Sequence, residues 1–220
     1  MNTQDADALK STASDNKEQI SQPTPLSHLS PAWEREGPSL KSAVVTIWQV
    51  LRHPVRTFSA PGLPGRKSAT TFGVLLLSFE LSFFLISTQP FEGNVVSRLI
   101  FIALALVLIP LLAWGNLYLG AGVTQVLLDW TKSGASDFQR TYRVVAYTSG
   151  VLAPFSLIPL LGTLLVMTLG SVVYLHALAA AHGVLKRKVL PSLLVSYLLL
   201  FFLYFILSDS PQKAFMDFLM

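Results

Sequence analysis

The chain contains no cysteine in its 220 residues, which excludes disulfides, thiolate metal sites and thiol catalysis together. Enzymatic signatures are missing too: there is no HExxH, no GxSxG, no phosphate-binding glycine loop and no pair of intramembrane aspartates. His176 and His182 are six residues apart, about 240° around a helix, so they do not pair on one metal ion. The expectation is a protein that is not an enzyme, with no cofactor, catalytic or metal site. The first apolar run begins only near residue 70, so no cleavable signal peptide is expected and insertion falls to internal spans.

Acidic charge is also scarce outside one segment. Residues 1–38 hold six acids and three bases among Ser, Thr, Gln, Asn and Pro. A segment of that composition buries too little apolar surface to offset chain entropy and reads as a disordered polar tail. The remainder holds thirteen bases against six acids. A pI near 9.4 invites a nucleic-acid reading, but the bases lie between apolar runs instead of on one soluble face. That is the pattern of a membrane anchor, with lipid and not nucleic acid as the partner.

What is abundant is apolar sequence: 52% hydrophobic residues and a mean hydropathy of +0.55, averages that include the polar tail. Residues 39–68 read as an amphipathic juxtamembrane segment. Ser39 can cap a helix with apolar positions at Leu40, Val44, Ile47, Trp48 and Leu51, which Pro54 should end at His53. It is too short and too polar to span a bilayer and suits the headgroup boundary, with Trp48, Leu51, Arg52 and Arg56 as expected contacts with the membrane surface.

Residues 69–208 read as five spans: Thr70–Ser87, Arg98–Leu128, Tyr142–Leu157, Leu161–His182, and Pro191–Leu207, with 209–220 a short C-terminal tail. Span two, at about 45 Å, exceeds a bilayer core of about 30 Å and must tilt or project into the cytosol. Spans three and four are joined by the uncharged turn around Pro159 and form a tight hairpin, and Gly183 can stop span four. With the N-terminus inside, cytosolic flanks carry ten bases and outer flanks only Arg98 and Lys213. The charge bias therefore gives an N-in, C-out topology. The expected fold class is an all-α membrane protein, a bundle of five transmembrane helices preceded by an amphipathic interfacial helix.

Few residues in the spans carry chemistry. Glu80 lies about 15 Å into span one, where an acid costs at least about 3 kcal/mol. By depth, Asn116, Tyr147 and His176 share the inner half of the membrane, with Glu80 just above, so these four are the candidate functional polar residues. Asn116, Gly120 and Thr124 recur at i, i+4, i+8, and Ala179 and Gly183 at i, i+4, as expected for helix-packing faces.

The order of these features resembles the bacterial branch of the Yip family, relatives of the Ypt/Rab-interacting membrane proteins. The resemblance rests on Ile47–Pro54 with Phe58, on Phe138–Tyr147, on Pro154, Ile158–Pro159 and Gly162, and on His176–Gly183 before a short basic run. Tyr142, Arg143, Ala146, Tyr147, Pro154 and Pro159 look like the family's most recurrent positions. The resemblance implies a five-span protein with a cytosolic N-terminus. It does not extend to Rab-type GTPase binding, because the N-terminal Asp-Leu-Tyr-Gly-Pro signature of the eukaryotic relatives is absent. The functional expectation is a non-enzymatic scaffold or adaptor in a bacterial inner membrane, organising partner membrane proteins or anionic lipid. A small transporter or channel using the intramembrane Glu80 and the inner-leaflet polar residues is the alternative.

Overall fold

Start and stop signals decide where the helices lie. Ser39 caps a helix over Leu40–Arg52 through a reciprocal capping box with Ser42, and Pro54 restarts the chain as the first residue of the next helix. Asp137 Oδ1 accepts from the backbone N–H of Gln139 at 2.9 Å and so opens the helix Phe138–Ser156. Gly183, at φ +63°, ends Leu161–His182 in the left-handed conformation that a side chain would oppose. The computed structural model describes residues 30–59, 66–88, 95–133, 137–158 and 161–207. Among these residues the chain forms eight helices and no strand: α1 (Ala32–Glu36), α2 (Leu40–Arg52), α3 (Pro54–Phe58), α4 (Arg66–Thr88), α5 (Val95–Trp130), α6 (Phe138–Ser156), α7 (Leu161–His182) and α8 (Lys186–Leu207).

Three described segments are long and apolar enough to cross a membrane: Arg66–Leu85, Leu99–Trp130 and Leu164–His182. Helix α5 runs unbroken through Pro110 for 36 residues, about 54 Å, and so outreaches a bilayer core. Helix α6 is different in kind. It packs against α4, α5 and α7, and every residue from Thr141 to Thr148 is buried. The α4–α6 crossing is close because small residues face each other. A Cβ on Gly73 would sit 2.8 Å from the Ala146 carbonyl oxygen, and one on Gly150 would sit 3.2 Å from Gly73 Cα.

Neighbouring helices alternate in direction. Thr70 meets Tyr142 and Glu80 meets Ser156, so α4 and α6 run parallel. Gln125 meets Thr141, and Thr141 meets His182, so α5 and α7 run opposite to α6. Ser171 bonds Tyr197, which sets α8 antiparallel to α7. The basic ends of α4, α6, α7 and α8 therefore collect at one end of the bundle.

Two boundaries differ from the sequence expectation. The segment 30–38 belongs to the fold and not to a disordered tail. Trp33 is buried in the core, with its ring 5.4 Å from Phe72 in an edge-to-face contact. Its backbone N–H donates to Thr46 Oγ1 at 2.8 Å, while Ala32 N–H donates to Gln49 Oε1 at 2.9 Å. One indole and two backbone bonds help to anchor a stretch whose average composition is polar. Secondly, α8 begins at Lys186, so Lys186, Arg187 and Lys188 form its first turn and Pro191 lies inside it. The residues 1–29 and 208–220, and Pro159 of the α6–α7 turn, lie outside the described residues.

Candidate functional site

The N-terminal edge of the described fold meets its buried centre at Arg143. This guanidinium grips the Glu34 carboxylate with two parallel hydrogen bonds, Nε to Oε1 at 2.8 Å and Nη2 to Oε2 at 2.7 Å. Both side chains are almost sealed from solvent, 5% exposed for Arg143 and 1% for Glu34. A bidentate pair satisfies both charges at once, which is what makes burying them tolerable. Aromatic rings close the surroundings. The Phe58 ring lies 5.8 Å from the Arg143 guanidinium, and Tyr147 packs between Phe58 and Phe72 at 6.2 and 5.0 Å. The Tyr147 hydroxyl is buried beside the Glu34 carboxylate, with no hydrogen bond of good geometry among the described residues.

One turn away, Tyr142 ties three helices. Its hydroxyl shares a 2.9 Å hydrogen bond with Thr70 of α4, and its ring lies 4.8 Å from Tyr118 of α5. Arg66 spreads over both rings, at 4.9 Å from Tyr118 and 5.5 Å from Tyr142, and donates to the Tyr118 hydroxyl.

A second network joins the same ends of α5, α6 and α7. Gln125 Nε2 donates to Asp129 Oδ1 at 3.0 Å, which leaves Oε1 to accept from the Thr141 hydroxyl at 2.6 Å. Thr141 has one proton and has given it away, so the 3.0 Å contact with His182 makes Nε2 of His182 the donor. Arg140 spans back to the Ala181 carbonyl at 3.0 Å. Sequence reasoning did not single out this relay. Its only signal was the polar residues clustered at the helix ends, and nothing there indicated which of them face one another.

The four polar candidates named from depth do not form a cluster. Glu80, in the second half of α4, accepts from the hydroxyl of Ser156, the last residue of α6. Asn116 is exposed on α5, so the stripe with Gly120 and Thr124 is not a single packing face, although Thr124 does bond Tyr174 at 2.6 Å. Tyr147 is buried with the ion pair. His176, whose Nδ1 bonds the Val172 carbonyl at 2.8 Å, lines a groove beside α3. Residue counts set a position along a helix but not its face, and 100° of rotation per residue sends these side chains to different faces.

Of the family-like positions, Tyr142, Arg143 and Ala146 lie in this buried centre, and Pro154 lies in the last turn of α6. Of the expected surface contacts, Trp48 is 59% exposed, and Arg52 and Arg56 are exposed as well. Leu51 instead packs half-buried against the core. No curated protein and no solved structure matches the chain. Glu34 lies outside the part that does find a match, whereas its partner Arg143 lies inside it. The Yip1 domain model matches residues 48–208, and the chain belongs to that family.

Proposed function

We propose that this Yip-family chain is a five-span scaffold or adaptor of a bacterial inner membrane, with α4–α8 crossing the bilayer, the N-terminus inside and the C-terminus outside. The observation that carries this reading is the platform α1–α3, locked to the basic end of the bundle by Glu34–Arg143. Locking leaves one face of α2 outward, where Leu40, Val44 and Trp48 are exposed and Arg52 stacks on Trp48 at 5.2 Å. An apolar stripe edged with bases on a rigid support suits contact with headgroups or with a partner at the membrane surface. The alternating helix directions support five crossings, and α6 can be polar because its neighbours shield it from lipid. The scatter of Glu80, Asn116, Tyr147 and His176 favours a scaffold over a transporter built on them.

The test is a photo-crosslinking residue at Trp48 in native membranes, with the same residue at exposed Lys132 as reference. Protein or lipid adducts specific to position 48 support the reading, whereas identical adducts at both positions sink it. Flux through proteoliposomes that disappears in Glu80→Gln would replace the scaffold with a transporter.

A further inference from the structure

Two adjoining hollows, of about 690 and 730 Å³, form one groove where α3 lies against the C-terminal half of α7. Val55, Ser59 and His176 line both. Arg52, His53 and Arg56 line the first, Lys186 and Arg187 the second. Four permanent cations thus converge with no acid in the lining. Among the described residues Arg56, Lys186 and Arg187 form no ion pair, and Arg52 meets only the Trp48 ring. Like charges gathered this way repel, and an anion placed among them removes the repulsion.

The groove has a second, apolar character. Ala179, Ala180 and Val184 line its floor, and Val172 and Leu185 are exposed beside it. From His182 to His176 is six residues, about 9 Å along the helix, whereas one headgroup layer is about 5–8 Å deep. The groove therefore runs from the level of the basic turn through the headgroup layer to the edge of the acyl region.

We propose that this groove is a binding site for one anionic phospholipid. Its phosphate lies between Arg56 and the Lys186–Arg187 pair, and its acyl chain descends past Val172 along α7. The inference rests on the membrane orientation proposed above and narrows its diffuse lipid contact to a discrete site. Basic pockets between helices at the cytosolic level recognise phosphate headgroups in this way. A free phosphate would satisfy the cations equally but would leave the apolar floor wet. The lipid satisfies both parts of the groove.

The experiment uses the full chain in neutral phosphatidylcholine nanodiscs doped with phosphatidylglycerol, with bound lipid counted by native mass spectrometry. The wild type is expected to retain one phosphatidylglycerol. Each base near an anionic lipid contributes a factor of about five, so Arg56→Gln/Lys186→Gln/Arg187→Gln should weaken retention at least tenfold. Val55→Trp keeps every charge, fills the groove and should do the same. Lys67→Gln/Lys132→Gln/Lys188→Gln removes as much charge from outside the groove and should stay within twofold of wild type. Equal loss in that control, or retention in Val55→Trp, overturns the site. Displacement of the lipid by millimolar inorganic phosphate would also overturn it, by making the free anion the occupant. Thermal unfolding of each variant separates lost binding from lost fold. External labelling of a cysteine at 186 would refute the orientation while leaving the lipid count to stand or fall alone.

Discussion

Arg143 and Glu34 show how a single contact can decide whether a polar segment is part of a fold. The pair is two charges taken from water, so its net contribution is modest, but losing one partner strands the other. Arg143→Leu or Glu34→Ala should cost about 3–5 kcal/mol, read as a lower midpoint in denaturant titration of the detergent-solubilised chain. The double variant Glu34→Leu/Arg143→Met should recover most of that loss, since no buried charge is then left unpaired. Strictly additive losses would mean that the pair is not coupled as its geometry requires. The two tyrosines beside it make a finer comparison. Tyr142 shares a hydrogen bond with Thr70 whereas the Tyr147 hydroxyl lacks one of good geometry. Tyr142→Phe should therefore cost about 0.5–1.5 kcal/mol, and Tyr147→Phe should be neutral or stabilising, because its hydroxyl is desolvated without full repayment. The reverse ranking in thermal unfolding would contradict the contacts described.

At the scale of elements, what could be read from the sequence was local and what could not was relational. Ser39, Pro54 and Gly183 act within one turn of themselves, so the ends they set agree with the structure. The apolar runs of α4, α5 and α7 carry their own evidence in the same way. Helix α1 carried none, being five residues long with no periodicity to detect. Its place depends on Phe72 and Arg143, far along the chain. The candidate site was half legible: the positions Tyr142, Arg143 and Tyr147 were singled out, but the partner Glu34 was assigned to a tail. The α4–α6 crossing offers a test at this scale. Gly73→Ala puts a methyl 2.8 Å from a backbone carbonyl, which cannot yield as a flexible side chain can, so the helices must separate. Gly115 on α5 has open space where its Cβ would go, so Gly115→Ala should be neutral or gain up to about 1 kcal/mol of helix propensity. Gly73→Ala should lower the unfolding temperature and Gly115→Ala should not. Equal effects would deny the close approach.

For the whole molecule, the five-span proposal asks how α6 and α8 would cross, since only three of the described segments have the length and apolarity to do so unaided. Shielding answers it for α6. A helix surrounded by α4, α5 and α7 meets protein on every side that matters, so Thr141, Tyr142, Arg143 and Thr148 cost nothing against lipid. On the five-span proposal, residues 132 and 186 lie on one side of the membrane and the start of α5 on the other. The absence of native cysteine makes this directly measurable, since any introduced thiol is the only one in the chain. With Lys132→Cys, Lys186→Cys and Asn94→Cys made singly, an impermeant maleimide added to intact cells should label only position 94. Positions 132 and 186 should label only after the cells are opened. Labelling of 132 and 186 from opposite sides would remove α6 or α7 from the membrane and reduce the number of crossings. It would also mean that the basic ends of the helices, gathered by Arg140 and Thr141 in the fold, do not share one aqueous face, and the five-span arrangement would fall with them.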